Sequence, residues 1–156
     1  MITKSSSYKN TLLDKRKVHP FEHVSVVITA MTDAEKPFIN ECVASVFRNS
    51  FILEVIICVN NTNSWIENEL IEFSNNPKLK IHRIDKCNAS KARNYGVKVS
   101  NSSWIAFCDG DDVWSDHKIK RQLEHACLYK SDVVGGDHYL TCTDGIIRAY
   151  AICKNM

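Results

Sequence analysis

The chain of 156 residues lacks the features that would carry it into or across a membrane. No stretch approaches the roughly 20 apolar residues that a membrane-spanning helix needs. Residues 1–20 are polar and basic and contain no apolar segment typical of a signal peptide. We therefore expect a cytoplasmic protein with a polar, flexible tail over residues 1–20 and a folded domain over residues 21–156. The basic tail would allow weak contact with an anionic surface at the inner membrane face.

The sequence also lacks a strong net charge and any paired cysteine motif. Its net charge is +2, so we expect no nucleic-acid partner. The seven cysteines are odd in number and irregularly spaced, and none form a Cys-x-x-Cys pair, which argues against a structural zinc site. Cys58 and Cys108 lie in apolar, strand-like runs, where a free cysteine acts as a small hydrophobic residue. These features favour a reducing compartment.

Apolar strands and amphipathic helices alternate along the chain. Strands are predicted at Val24–Ala30, Leu53–Val59, Leu79–Ile84 and Ser103–Cys108. Helices are predicted at Pro37–Asn49, behind a Ser64/Glu67 capping box, at Ala89–Val99 and around Ile119–Cys127. This alternation predicts an α/β fold with a mostly parallel sheet and helices on both faces. Thr143-Asp144-Gly145 predicts a C-terminal β-hairpin between Val133–Thr141 and Ile146–Ile152.

The apolar run Trp104–Cys108 ends in three carboxylates, Asp109, Asp111 and Asp112. In open α/β sheets the ligand crevice lies at the carboxyl ends of the strands. Three acids within four residues repel one another unless a cation lies among them. Mg²⁺ binds one or two carboxylates together with phosphate oxygens. The pattern therefore indicates a metal–phosphate site, and the alternative is a solvated acidic turn without a ligand.

The same acids fit the first motif of a haloacid-dehalogenase-type phosphohydrolase, Asp-x-Asp-x-Val. In that interpretation Asp109 is the nucleophile and Asp111 the acid/base. Only 44 residues follow Asp112, and they would have to supply a phosphate-binding lysine and a second acidic pair. The short remainder makes this alternative the weaker one.

A larger part of the chain resembles the family 2 glycosyltransferases. The matching segments are Ala92-Arg93-Asn94-Tyr95-Gly96, the strand Ser103–Phe107, Asp109-Gly110-Asp111-Asp112-Val113-Trp114, and Lys118 with Gln122. In that family the pattern runs Ala-Arg-Asn-x-Gly, an apolar strand, Asp-x-Asp-Asp-x-Trp, then Lys and Gln on the next helix. The resemblance covers about residues 24–152.

The resemblance implies the GT-A fold and transfer of a sugar from a nucleotide-diphosphate donor to a glycan or lipid-linked acceptor. The donor-binding residues would be Thr29, Asn61, Arg93, Asp109 and Asp111. A divalent metal, Mn²⁺ or Mg²⁺, would be held by Asp111 with Asp109, and would offset the charge of the leaving diphosphate. Trp114 is expected to cover the strand end, and Lys118 to be a solvated charge on a helix.

The chain departs from the family pattern at two strand ends. The first strand ends Thr29-Ala30-Met31-Thr32, where the family usually has Pro-x-Tyr-Asn or a similar sequence. The second ends Val59-Asn60-Asn61, where the family usually has Val-Asp-Asp. A family aspartate there accepts a hydrogen bond from the base. Asn60 or Asn61 can accept through an amide oxygen, but without charge. We therefore expect altered base binding and, for aspartate at position 61, tighter binding of uridine nucleotides.

The family's general base belongs to a later, acceptor-binding segment, so the catalytic base is expected in a C-terminal part that this sequence does not contain. Asp132, Asp137 and Asp144 follow the last helix, and each is interpreted as a solvated turn or strand-end residue. The sequence therefore predicts a truncated donor-binding part of an inverting glycosyltransferase. The alternative is a non-catalytic nucleotide-sugar-binding module or degenerate remnant.

Overall fold

The computed structural model describes residues 1–4, 23–85, 87–136, 138–141 and 147–150. Its strands are β1 (Ile2–Lys4), β2 (Val24–Ala30), β3 (Ile52–Asn60), β4 (Leu79–Ile84), β5 (Trp104–Asp109), β6 (Val133–Val134), β7 (His138–Thr141) and β8 (Ile147–Tyr150). Its α-helices are α1 (Ile39–Phe47), α2 (Ile66–Glu69), α3 (Ala89–Val99) and α4 (Lys118–Tyr129), with 3₁₀ turns at Asp33–Glu35 and Ile71–Phe73.

The main sheet has six strands in the order β4-β3-β2-β5-β1-β6. Strands β4, β3, β2 and β5 pair in parallel, each joined to the next in the chain by a helical segment. The order reverses after β4, so β5 lies on the other side of β2. The prediction of a mostly parallel α/β sheet is confirmed, and the reversal places the ends of β2 and β5 side by side.

The antiparallel member of the sheet is β1, from the segment predicted to be a flexible tail. It pairs with β5 on one side and with β6 on the other. Ile2 is fully buried in the main core. The tail expectation is therefore corrected for Ile2–Lys4, because an apolar residue fills the sheet between β5 and β6. The rest of the expected tail, residues 5–20, lies outside the described residues.

The two faces of the sheet are covered by different helices, as the alternating burial of the strands requires. On one face, α1 and α4 pack their apolar sides on strand residues such as Val26 and Ile28. On the other face, α3 lies over Val27, Ile56 and Ile105. In this arrangement both faces of the central strands are buried, which explains their continuous apolar sequences.

Two predicted helix starts differ in the structure. The predicted capping box at Ser64 is wrong: α2 begins after Trp65 without a side-chain cap, and both carboxylate oxygens of Glu67 accept from Arg83 Nη2. A capping box exists instead at Thr32, whose hydroxyl accepts from Ala34 N while Glu35 accepts from Thr32 N. The charge of Arg83 on the neighbouring strand thus outweighs the local capping preference of Glu67.

The predicted strand Val133–Thr141 consists of two strands, Val133–Val134 and His138–Thr141, separated by positions 135–137. The first, β6, joins the main sheet beside β1, and the second, β7, pairs antiparallel with β8. The predicted hairpin ladder is therefore present, and its turn at 143–145 lies outside the described residues. Among the described residues, no helix has the length and hydropathy needed to cross a bilayer.

A buried carboxylate of β3 joins β2, β4 and the segment before β5 at the edge of the sheet opposite the carboxyl ends. A register shift after Val24 pairs Ser25 with Glu54, and the Glu54 side chain is only 3% exposed. It accepts hydrogen bonds from Ser25 Oγ (2.7 Å), the Asn101 backbone N (2.7 Å) and Lys80 Nζ (2.5 Å). Burial acts to raise the pKa of Glu54, but these bonds outweigh it and lower the pKa from 4.5 to about 2.

This depressed pKa predicts acid-sensitive stability. A folded-state pKa below the unfolded value stabilises the protein fully above pH 4.5, and the stabilisation is lost as the pH falls toward 2. The shift corresponds to at most roughly 3 kcal/mol. Glu54→Gln should lower the free energy of unfolding at pH 7 and flatten its decline below pH 4.5, as measured by urea unfolding across pH. The exposed Glu124→Gln is the control, and an equal acid profile in Glu54→Gln and the parent would refute the assignment.

The position of α3 depends on a glycine with no room for a side chain. A Cβ on Gly96 would lie 2.4 Å from Val27 Cγ1, and Val27 is fully buried in β2. Gly96→Ala should therefore destabilise the protein by about 1–3 kcal/mol through overpacking, despite the better helix propensity of alanine. Gly135→Ala is the matched control, since its Cβ would meet nothing within 4 Å. Thermal unfolding of both variants checks this, and unchanged stability of Gly96→Ala would contradict the packing described.

Candidate functional site

The centre of the candidate site is formed where β2 and β5 end. Their parallel register places Thr29 directly beside Asp109. Thr29 Oγ1 donates a hydrogen bond to Asp109 Oδ1 over 3.2 Å. Thr29 is 5% exposed, whereas the Asp109 side chain is 48% exposed. The strand ends thus hold one oxygen of a carboxylate in place while leaving the group open to a ligand.

Arg93 reaches the same carboxylate from α3. Its guanidinium donates to Asp109 Oδ1 at 2.5 Å. Two features fix the helix that carries it: Asn88 caps its N-terminus by accepting from Lys91 N at 2.9 Å, and Ala92 is buried against the sheet. Arg93 remains 35% exposed, so the guanidinium can also meet an anion in the crevice.

The loop after Asp109 turns at Gly110, a position with little space for a side chain. A Cβ there would lie 3.0 Å from the Thr29 carbonyl oxygen and 3.2 Å from Ile39 Cδ1. Gly110 N donates to that same Thr29 carbonyl over 3.1 Å, and Asp112 N donates to the Asp109 carbonyl over 3.0 Å. This turn leaves the side chain of Asp111 exposed at the edge of the crevice.

The acids of this loop repel one another. The pKa of Asp112 is raised, first by partial burial of its carboxyl and then by the negative charges of Asp109 and Asp111. His138, at the start of β7, acts in the opposite direction. A cation or a cationic side chain placed among these carboxylates would relieve the repulsion.

The loop of Asp109, Asp111 and Asp112 is also held by Ser45 of α1 and by Asn49, two residues after α1, which the sequence pattern does not single out. Ser45 Oγ accepts from Trp114 N at 2.9 Å. Asn49 donates to the Ser115 carbonyl at 3.0 Å and accepts from Ile119 N at 3.0 Å. Both side chains are polar and buried, on the apolar side of the predicted helix Pro37–Asn49. Polar residues at such positions are the signal in the sequence that could have identified them.

Lys118 differs from the expected solvated charge. It is half-buried, its Nζ lies 4.7 Å from the centroid of the Trp114 ring, and it donates to Gln122 Oε1 at 2.8 Å. Burial lowers the pKa of Lys118, while the nearby Asp112 acts to raise it. Trp114 is buried in the main core at the end of β5, in agreement with the expected role as a cover. Lys118 and Trp114 therefore form one packed unit behind the acids.

The two asparagines after β3 have different surroundings. Asn60 is buried and its Oδ1 accepts from the N and Oγ1 of Thr62, both at 3.1 Å, so its acceptor is used within a turn. Asn61 is exposed, and its Nδ2 donates to Asp85 Oδ1 over 2.9 Å. The structure therefore does not bring Asn61 to the Asp109 cluster. It places Asn61 beside an acid after β4 that sequence reasoning missed.

The carboxylates of Asp109 and Asp111 could bind a divalent metal only together with a phosphate ligand. Within the described part of the chain, no group of three or more His, Cys, Asp or Glu side chains could hold a metal ion. Asp109 has one oxygen engaged by Arg93 and Thr29, and Asp111 is exposed beside it. One or two carboxylates completed by phosphate oxygens are a donor set that Mg²⁺ accepts.

Of the acids after α4, the structure describes Asp132, which is exposed in the connection before β6. Asp137 and Asp144 lie outside the described residues. The catalytic base thus stays unassigned among the residues whose surroundings are described.

Comparison with known proteins identifies the family. The family model for glycosyl transferase family 2 matches residues 25–152. The chain is 33% identical over 120 residues to the uncharacterized glycosyltransferase EpsJ of Bacillus subtilis, covering 76% of this chain and 35% of that protein. It is 29% identical over 114 residues to the Escherichia coli UDP-Glc:alpha-D-GlcNAc-diphosphoundecaprenol beta-1,3-glucosyltransferase WfgD, covering 72% of this chain and 45% of that protein.

Solved structures share the fold. S. aureus TarS in complex with UDP-GlcNAc superimposes with a TM-score of 0.61 at 19% identity, over 70% of this chain and 32% of TarS. The mannosyltransferase PcManGT from Pyrobaculum calidifontis, in complex with GDP-Man and Mn²⁺, gives a TM-score of 0.56 at 13% identity, over 67% of this chain and 32% of that protein. The chain thus spans less than half the length of these relatives. It belongs to glycosyl transferase family 2 and has the GT-A fold.

Proposed function

We propose that this chain forms the donor-binding part of a glycosyltransferase, which transfers a sugar from a nucleotide-diphosphate donor to a glycan or lipid-linked acceptor. The observation that carries the proposal is the convergence of Arg93 and Thr29 on Asp109 at the carboxyl edge of the sheet. All three residues lie within the region that the family model covers, residues 25–152. Two relatives support the substrate class: WfgD is named for UDP-Glc and a diphosphoundecaprenol-linked acceptor, and TarS has been solved in complex with UDP-GlcNAc.

In this proposal, each residue of the cluster has a distinct role toward the donor. Asp109, fixed by Arg93 and Thr29, orients the donor, and Arg93 stabilises the negative charge of the leaving diphosphate. Asp111, exposed beside it, would hold Mn²⁺ or Mg²⁺ together with Asp109. When bound, the metal would act as a Lewis acid on the phosphate oxygens.

The family of the chain weighs against the phosphohydrolase alternative, because the family model for glycosyl transferase family 2 matches residues 25–152. Asp109 Oδ1 accepts hydrogen bonds from Thr29 and Arg93, and these bonds favour an orienting role for the carboxylate. Sugar transfer additionally needs a base within about 2.6–3.2 Å of the acceptor hydroxyl. We expect that base in a part of the protein beyond the described residues.

The proposal predicts donor binding together with little transfer by this chain alone. Calorimetric titration with a panel of nucleotide-sugars, with and without Mn²⁺, should find metal-dependent binding of at least one. Mass spectrometry with a glycan acceptor library should find slow hydrolysis of that donor and no efficient transfer to an acceptor. Positioning of an acceptor can lower the activation barrier by roughly 7–11 kcal/mol, and we expect this contribution to be missing. Donor binding with no hydrolysis would favour a binding module, and phosphate release from simple phosphomonoesters would favour the hydrolase.

The metal assignment predicts a specific effect of Asp111→Asn, which keeps the size of the side chain and removes its charge. Loss of a charge-assisted contact of about 1.5–3 kcal/mol should weaken donor binding at least tenfold in Mn²⁺ and abolish its dependence on the metal. The parent should bind Mn²⁺ weakly in the absence of nucleotide, since the phosphates complete the site.

The matched control is Asp132→Asn, an exposed acid away from the carboxyl edge, which should bind the donor like the parent. Metal-dependent donor affinity that is equal in Asp111→Asn and the parent would remove Asp111 from the proposed metal site. Tight binding of Mn²⁺ alone would indicate a metal site of a different kind.

A further inference from the structure

Two polar side chains meet at the carboxyl ends of β3 and β4, apart from the Asp109 cluster. Asn61 directly follows β3 and Asp85 directly follows β4, and both are exposed. The bond from Asn61 Nδ2 to Asp85 Oδ1 measures 2.9 Å. Asn61 N also donates to the Ile84 carbonyl at 2.9 Å, which extends the strand pairing by one residue. The pair is therefore held by backbone and side-chain bonds at the crevice edge.

The geometry of this pair determines what it offers to a ligand. One hydrogen of the Asn61 amide is used on Asp85, which orients the carboxylate. Among the described residues, Asn61 is the hydrogen-bond partner that the structure gives to Asp85. Arg83 of β4 donates to Glu67, to the Asn63 carbonyl and, at 3.4 Å, to the Asn61 carbonyl. Asp85 thus presents an acceptor of negative charge to the crevice.

The distance to the phosphate end of the site is set by the order of the strands. Asp85 follows β4 and Asp109 ends β5, with β3 and β2 between them. Three strand spacings amount to about 14 Å. That span is comparable to an extended nucleoside diphosphate, from the base edge to its terminal phosphate. A nucleotide with its phosphates near Arg93 would therefore reach Asp85 with its base.

Apolar side chains lie at or near the carboxyl ends of β2 and β4. Met31, which follows β2, Ile84 at the end of β4, and Cys87 are partly buried and pack on the core layer beneath α3. An apolar surface bordered by hydrogen-bonding groups suits a flat heterocycle, which packs by its face and is recognised by its edge. This surface favours a nucleobase over a sugar, whose hydroxyl groups would be left without partners there.

We propose that Asp85 determines the nucleotide specificity of the donor site, with Asn61 positioning it: the Asp85 carboxylate accepts a hydrogen bond from a ring N–H of the base. The inference rests on the proposed donor-binding function and names its base class. Uracil, thymine and guanine carry a ring N–H on the edge concerned. Adenine and cytosine present a lone pair at that position, which a carboxylate repels.

This role for Asp85 reverses the expectation that aspartate at position 61 tightens binding of uridine nucleotides. Asn61→Asp places a carboxylate oxygen where Nδ2 now lies, 2.9 Å from Asp85 Oδ1. Two carboxylates at that separation repel each other, and the positioning bond is lost. Asn61→Asp alone should therefore weaken base recognition. Exchanging the two residues, Asn61→Asp with Asp85→Asn, keeps one carboxylate and one amide in contact.

The test compares the parent with Asp85→Asn, Asn61→Asp and the exchanged double variant. Each is titrated in Mn²⁺ with UDP, GDP, ADP and CDP, and with inorganic pyrophosphate as a probe of the phosphate end alone. The parent should prefer UDP or GDP over ADP and CDP roughly tenfold or more, as expected for a hydrogen bond to a charged group. Asp85→Asn and Asn61→Asp should lose that preference while binding pyrophosphate like the parent. The double variant should recover it to within about threefold.

The outcomes separate this inference from the proposed function. A base preference that survives intact in Asp85→Asn would overturn the role of Asp85 and leave donor binding standing. A double variant no more selective than the single variants would overturn the positioning role of Asn61. A parent that binds neither nucleotides nor pyrophosphate would overturn the proposed function together with the inference. Asp132→Asn serves as the control for unrelated loss of surface charge.

Discussion

The hydrogen bonds to Asp109 are the interaction on which the carboxyl edge of this domain depends. One carboxylate oxygen accepts from Thr29 of β2 and from Arg93 of α3. Residues from three separate elements, β2, α3 and β5, therefore meet at one carboxylate oxygen. The arrangement requires the parallel register of β2 and β5 and the close approach of α3, so it exists only when the whole central part of the fold is formed. In a partly buried crevice such charge-assisted bonds are stronger than in water.

The opposite edge of the same strands is held by a second carboxylate of a different character. Glu54 is almost fully buried and its hydrogen bonds connect β2, β4 and the segment before β5. The Glu54 carboxylate accepts hydrogen bonds from donors within the protein, whereas the Asp109 carboxylate is half exposed and accessible to a ligand. The burial of the two carboxylates thus separates a structural role from a ligand-facing one. The central strands are fixed at both ends, and the crevice can be open without loss of order in the sheet.

The acid loop shows how support reaches the crevice from the far face of the sheet. Ser45 of α1 and Asn49, just after that helix, form hydrogen bonds with the backbone at Trp114, Ser115 and Ile119. Lys118 lies over the Trp114 ring behind the same loop. These contacts set the path of the chain from Asp112 into α4, so α1 and α4 hold the loop that exposes Asp111. The Asn61–Asp85 pair lies at the other end of the same edge, across β2 and β3.

The sequence by itself determined the order of strands and helices from β2 to α4, and the family. Period-two and helical apolar patterns are local properties, and so is the spacing of the motifs around Arg93 and Asp109. The GT-A fold and the family resemblance are confirmed by the family model over residues 25–152 and by the structural neighbours. The pairing of β7 with β8 likewise follows from a turn signal between two strand-like runs.

Only the tertiary structure decided which residues meet across the sheet. Ile2–Lys4 form a strand because β5 and β6 leave a space that an apolar residue fills, which no polar tail pattern can indicate. Glu67 pairs with Arg83 in place of capping a helix, and Lys118 packs on Trp114. Asp85 becomes a neighbour of Asn61 because β4 lies beside β3, although 24 positions separate them. These contacts are made between distant positions, and their partners are set by strand order and register, which local patterns do not encode.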